Sequence, residues 1–190
     1  MKKLLLVLAL LPLTALAQGN IAINLAQDLR LATVGDSNGN DAFTPNFILR
    51  VDLQDNQGKN GYFVVGTEYE HAALNNARYD RYSINAGYTF NQINKFELTF
   101  LANYGMTVRN LQQPNKEVKA AFTGFSGSIS LSYPIIENLR VVAIGQLSHR
   151  VDKNTLYGND ATYTLPFARV DASGFVGIQY TFKLKPIRSF

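Results

Sequence analysis

Strict alternation of residue character constrains this chain more than any other feature. In Arg81–Phe90, RYSINAGYTF, the residues Tyr82, Ile84, Ala86, Tyr88 and Phe90 are apolar or aromatic, while Arg81, Ser83, Asn85, Gly87 and Thr89 between them are polar or small. Successive side chains on a β-strand point to opposite faces, so this stretch predicts a strand with one greasy face and one polar face. The same period returns along the chain after Gln18, with turn-rich gaps between and no helix-period segment among them. The fold class is all-β.

Eight runs carry the pattern. The first sets Ile21, Ile23, Leu25, Leu29 and Leu31 against Asn24, Asp28 and Arg30. The second sets Phe47, Leu49, Val51 and Leu53 against Asn46, Arg50, Asp52 and Gln54, and the third Phe63, Val65 and Tyr69 against Gly66, Glu68 and Glu70. RYSINAGYTF is the fourth. The fifth alternates from Lys95 to Arg109, with Phe96, Leu98, Phe100, Ala102, Tyr104, Met106 and Val108 on its apolar face. In the sixth, Phe125, Ile129, Leu131 and Tyr133 oppose a ladder of Ser126, Ser128, Ser130 and Ser132. The seventh is less regular, because Val142 and Ile144 share a face with Arg140, Gln146, Ser148 and Arg150. The eighth, Ala168–Phe182, opposes Val170, Val176, Ile178, Tyr180 and Phe182 to Arg169, Asp171, Ser173, Gly177, Gln179 and Thr181.

The gaps differ in length. GDSNGNDAFT, AALNNAR, NLQQPNKEVKA and DKNTLYGNDATYTLP follow the odd-numbered runs, whereas NQIN and PIIEN follow the fourth and sixth; DNQGKNG, after the second, is longer than that rule predicts. An even number of antiparallel strands with short turns at one end and long loops at the other is the pattern of an up-and-down transmembrane β-barrel. Strands of about 10 residues suit a tilted crossing of the hydrocarbon layer.

Orientation follows from side-chain size. The apolar faces are rich in Leu, Ile, Phe and Tyr, and the opposite faces often carry Gly, Ser and Thr. Eight strands enclose a bore barely wide enough for side chains, so small and polar residues belong inside and bulky ones outside. Aromatics also gather near strand ends: Phe63, Tyr88, Phe90, Phe96, Tyr133, Tyr180 and Phe182 fall at the short-turn rim, where an interfacial girdle would sit. Closure removes the unpaired edges that a bilayer does not tolerate.

The first residues, MKKLLLVLALLPLTALAQ, combine Lys2 and Lys3, an apolar run Leu4–Leu11 and Ala15-Leu16-Ala17. That is a signal-peptide pattern over residues 1–17, cut after Ala17, with the barrel domain spanning 18–190. The apolar run is too short to span a bilayer as a helix. The absence of cysteine excludes disulfides and Cys-based zinc sites. A formal charge of +4, half of it from Lys2 and Lys3, gives no reason to expect nucleic acid as a partner.

The final run ends in GIQYTF, Gly177–Phe182, a glycine followed by apolar residues at spaced positions. It resembles the insertion signal of outer-membrane proteins, although Phe175 stands where that signal usually has a polar residue and KLKPIRSF continues beyond it. With the signal peptide and the eight runs, the chain resembles small eight-stranded outer-membrane barrels of the OmpA-barrel and OmpX type. That resemblance implies the outer membrane of a Gram-negative bacterium, recognition by the barrel-insertion machinery through Gly177, Tyr180 and Phe182, and a monomer without cofactor. The expected role is non-enzymatic: envelope structure, and presentation of external loops for adhesion or recognition. Two other readings stay open, a narrow passage for ions or small apolar molecules and a soluble exported ligand-binding barrel.

The alternation places Asp28, Arg30, Arg50, Asp52, Glu68, Glu70, Arg81, Lys95, Glu97, Arg140, Arg150, Arg169 and Asp171 on the inward face, where interspersed signs predict a self-paired polar core. Arg78, Arg109, Lys116, Lys119, Arg150 and Lys153 lie at or beyond the long-loop ends, where they would meet anionic groups of outer-leaflet glycolipid. The two histidines, His71 and His149, belong on the outer wall near that rim. A nucleophilic hydroxyl needs a base within hydrogen-bond reach, and the same-strand neighbours of His71 (Tyr69, Ala73) and of His149 (Leu147, Val151) supply no serine dyad. DSNGND, Asp36–Asp41, alternates oxygen ligands as a calcium loop does, but Asp41 replaces the sixth-position glycine and Phe47 the twelfth-position glutamate. A polar turn is the expectation there, and no catalytic, cofactor or metal residue is assigned.

Overall fold

In the computed structural model, which describes residues 19–35, 40–55, 58–74, 77–93, 95–113, 116–150 and 169–184, the alternating runs pair into one closed sheet. Within those ranges the side chains of 77, 92–93, 109, 111–113, 116–120, 122, 149–150 and 169–171 fall outside the description. The strands are β1 (Asn20–Asp28), β2 (Asn46–Gln54), β3 (Gly61–Leu74), β4 (Ala77–Ile93), β5 (Phe96–Gln113), β6 (Lys116–Ile136), β7 (Leu139–Arg150) and β8 (Arg169–Lys183). Each pairs antiparallel with its sequence neighbours, and β8 closes onto β1 from Asn20↔Lys183 to Asp28↔Phe175. The fold is an eight-stranded up-and-down barrel. Residues 1–17, expected to be a signal peptide, lie outside the described residues.

Register turns the alternation into two concentric surfaces. Phe63, Ile84, Phe125, Ile129, Leu147 and Ile178 are exposed on the outer wall, Phe125 at 74% and Ile84 at 64%. Arg50, Glu68, Glu70, Asn85, Asn103 and Gln146 are buried on the inner one. This inverts the usual soluble arrangement, in which charged groups are rarely buried and a contiguous apolar surface is small.

Aromatic residues ring both ends of the apolar wall. At the short-turn end, Phe63 meets Tyr88 at 5.1 Å, Tyr88 meets Phe90 at 4.8 Å, Phe96 meets Tyr133 at 4.9 Å and Tyr180 meets Phe182 at 4.7 Å between ring centres. Toward the other end, Tyr69 packs against Tyr82 at 5.1 Å and Tyr104 against Phe125 at 4.8 Å. The sequence pattern predicts only the first of these bands.

Three sequence expectations are corrected here. Leu29 and Leu31 do not extend the first strand. They start a short helix, α1 (Leu29–Thr33), because the Asp28 carboxylate accepts the backbone N–H groups of Arg30 and Leu31 and turns the chain. Leu31 is thereby buried and Leu29 stays exposed. The stretches AALNNAR and NLQQPNKEVKA are also not simple loops, since β3 and β4 pair up to Leu74↔Ala77 and β5 and β6 up to Gln113↔Lys116. The hydrogen-bond ladder thus continues where the hydrophobic alternation fades. Hence β5 and β6 reach 18 and 21 residues, about twice what a crossing requires.

Gly177 and Gly66 are among the glycines where a side chain would collide with the neighbouring backbone. A Cβ on Gly177 would overlap the Leu25 carbonyl oxygen, at the seam where β8 closes onto β1. One on Gly66 would overlap both the Val51 carbonyl oxygen and Asp52 Oδ1.

Candidate functional site

The inward residues form a continuous polar network across the bore. Inward positions on β2, β3 and β4 stand side by side through the register Arg50↔Glu68 and Glu70↔Arg81. The Glu68 carboxylate is the hub: Arg50 donates to it through Nε at 2.9 Å and Nη2 at 2.5 Å, and Arg81 donates through Nη2. Arg81 Nε lies 3.5 Å from Glu70 Oε2, and the Tyr79 hydroxyl donates to Glu70 Oε1 at 2.7 Å. The network runs on to the long-loop end through Asn46, whose amide donates to Asp28 Oδ2 at 3.0 Å.

Two bonds cross the bore from this hub. Arg50 Nη2 donates to Ser128 Oγ of β6 at 3.1 Å, and Gln146 of β7 donates to Glu68 Oε1 at 3.1 Å. Two guanidinium groups on one carboxylate, all of them buried, compensate the charge that burial would otherwise make costly. Toward the short-turn end a second layer forms. Tyr62 donates to Glu97 Oε2 at 2.9 Å, Arg140 Nη1 lies 3.1 Å from Glu97 Oε1, and Arg140 Nε donates to Ser132 Oγ at 3.1 Å. Two charged layers thus stand across a bore that is already narrow.

The inward set separates into four groups. Asp28, Arg50, Asp52, Glu68, Glu70, Arg81 and Glu97 are buried in the bore, and Arg140 is partly buried. Arg30 stands elsewhere: it sits on α1 with its side chain 58% exposed and folds back 3.0 Å onto Asp28. Lys95 occupies the β4–β5 turn at φ +78°, where its backbone carbonyl, not its ammonium, meets Arg140. The side chains of Arg150, Arg169 and Asp171 lie outside the described residues. Of the rim set, Arg78 is exposed on β4, and Lys153 and the side chains of Arg109, Lys116, Lys119 and Arg150 lie outside the described residues. Residues 36–39 of DSNGND and the His149 side chain lie outside them too.

The bore is not wholly polar. Ala26, Ile48, Val142, Ile144 and Phe175 form one buried apolar cluster inside it, and Tyr62, Val64 and Leu101 a second. Val142 and Ile144 were legible as inward, and Phe175 stood out in the sequence, but which residues they would meet depends on barrel closure.

The outer wall carries one polar cluster that same-strand reasoning missed. Asp80 Oδ1 accepts the Tyr69 hydroxyl at 2.6 Å and lies 2.8 Å from His71 Nδ1. Phe47 flanks both rings, at 6.1 Å from Tyr69 and 5.5 Å from His71. Asp80 is the cross-strand partner of His71. Locating the tight β3–β4 turn would have found it, because register then follows by counting.

No family model matches the sequence, and no curated protein matches it. Likeness appears at the level of fold. The crystal structure of Ail, the attachment invasion locus protein of Yersinia pestis, aligns at a TM-score of 0.52 with 14% identity, over 86% of this chain and 97% of that one. A major outer membrane protein from Thermus thermophilus aligns at 0.53 with 11% identity, over 86% and 99%. The closed barrel is the architecture shared with these outer-membrane proteins.

Proposed function

We propose that the chain is an integral outer-membrane barrel of a Gram-negative bacterium. It has no catalytic role, supports the envelope and presents its long-loop end for adhesion or recognition. The observation that carries this reading is the inverted surface: a belt of exposed Leu, Ile, Val and aromatic residues outside and a charged network inside. Such a belt is stable against hydrocarbon and costly in water. The strands β4–β6 are longer than a membrane crossing needs, so they lift the loop end clear of the bilayer. Loops on a rigid scaffold are where recognition is usually built. Ail, similar in fold, bears the name of an attachment invasion locus protein.

Within this reading the outer-leaflet partners are anionic glycolipids met by Arg78, Arg109, Lys116, Lys119, Arg150 and Lys153. Gly177, Tyr180 and Phe182 present the last strand to the insertion machinery, and the cleaved segment is 1–17. The protein works as a monomer without cofactor. Transport is the weaker reading, since the Arg50–Glu68–Arg81 and Glu97–Arg140 layers fill the bore.

Fractionation of expressing cells tests the location: the protein should pellet with outer membranes and, extracted in detergent, run faster on gels before boiling than after. Recovery as a stable soluble monomer would overturn the reading. Stable conductance steps in planar bilayers would replace structure and presentation with transport.

A further inference from the structure

Between the two charged layers lies a small cavity whose chemistry the ion pairs do not account for. It has about 10 Å³ of room, enough for one water-sized particle, and its walls are almost entirely polar. Asp52 and Gln54, consecutive inward residues of β2, both line it and are both more than nine-tenths buried. Asp52 Oδ2 accepts one hydrogen bond, from the Asn24 amide at 3.1 Å. Among the described residues, Asp52 Oδ1 and Gln54 Oε1 have no hydrogen-bond partner.

No cation within the described residues pairs with Asp52, although cations are near. Arg50 also lines the cavity, but its Nε and Nη2 are held by Glu68 and Ser128. Arg81 is held by Glu68 and Glu70, and Arg140 by Glu97. Asn85 stands near Asp52 across Gly66 and its amide approaches the carboxylate, but a neutral amide does not cancel the charge. A buried carboxylate in this position must be neutralised, by a proton or by a small cation.

The donor set favours a cation of low charge. Asp52 and Gln54 present hard oxygen atoms, and Ser130, Thr89 and Thr99 add hydroxyls to the same wall. One uncommitted carboxylate, with Arg50 close by, balances a single positive charge and not two. Among the described residues no three His, Cys, Asp or Glu side chains gather as a divalent or transition-metal site would need. We propose that this cavity binds one small monovalent cation of the sodium class, with Asp52 Oδ1 and Gln54 Oε1 as its principal ligands. The inference rests on the barrel interior alone and stands apart from the adhesion reading.

The test uses the full barrel in an uncharged detergent, unfolded by urea at fixed ionic strength in sodium chloride or choline chloride, since choline is too large for the cavity. Binding of one ion to the folded form raises the folded-to-unfolded ratio by the factor 1 + [Na⁺]/Kd, about 100-fold at a hundred times Kd. The wild type should show that rise with a slope approaching one ion per barrel, and should broaden the ²³Na resonance. Asp52→Asn, which keeps the shape and removes the charge, should fold, be at least as stable as the wild type in choline, and lose both responses. Gln54→Leu should weaken them. Equal stability of the wild type in the two salts overturns the proposal. So does an equal sodium response in Asp52→Asn, or a wild-type barrel that loses stability with rising pH alone and ignores sodium.

Discussion

Where β2, β3 and β4 face the bore, Arg50, Glu68, Glu70 and Arg81 meet one another; where β7, β8 and β1 face it, Ala26, Val142, Ile144 and Phe175 meet instead, with Ile48 of β2 at the border. One closed sheet therefore holds two kinds of interior. The apolar half excludes water by close packing, as a soluble core does. In the charged half, Arg50, Glu68, Glu70 and Arg81 each depend on a particular partner, and the cross-bore bonds from Arg50 to Ser128 and from Gln146 to Glu68 tie it to the opposite wall. The apolar half should yield gradually to mutation and the charged half abruptly.

The largest expected effect is at the hub. Glu68→Ala leaves Arg50 and Arg81 buried without their shared counter-ion, and urea unfolding in detergent should show a loss of about 3–5 kcal/mol. Replacing Glu68, Glu70, Arg50 and Arg81 together with apolar residues of similar volume should cost far less, because both cations leave with the carboxylates they pair with. If this fourfold variant were as damaged as Glu68→Ala, pairing would not explain the charged half.

Gly66→Ala comes next. Its new methyl would press on the Val51 carbonyl and on Asp52 within the charged half, and a loss of about 1–3 kcal/mol is expected. In the apolar half, Ile144→Val removes one buried methylene, and the same assay should read about 0.5–1.5 kcal/mol. A loss at Ile144 as large as at Glu68 would erase the distinction between the halves.

The smallest effect belongs outside both. Lys183 Nζ lies 2.6 Å from Glu137 in the β6–β7 turn and holds that carboxyl below its usual range by hydrogen bonding and charge. A depressed carboxyl contributes above its unfolded pKa and loses its contribution as pH falls through the folded one. Both side chains are exposed, so Glu137→Gln should leave the unfolding midpoint unchanged near neutral pH. A clear shift there would show that the turn is coupled to the bore.

Legibility in the sequence followed physical range. The inward position of Arg50, Glu68 and Arg81 could be read because a strand repeats every two residues whatever its neighbours are. The displacement of Arg30 could not, because Asp28 stops the strand by capping a helix that has too few residues to show a period. Asp80 escaped notice as the partner of His71 because the two are nine positions apart in sequence and adjacent only through register. The β5–β6 extension escaped because its hydrogen-bond ladder runs on past the last residues that alternate in character.

Sequence alone determined that there would be eight strands, which side chains would turn toward the bore and which away from it, since pleat geometry and residue size are local properties. Closure of β8 onto β1 decided the rest: the carboxylate that two arginines share, the apolar cluster that fills the far wall, and the lone Asp52 beside its cavity. Those outcomes depend on distances across the barrel between residues as far apart in sequence as Ala26 and Phe175, and only the closed cylinder fixes such distances.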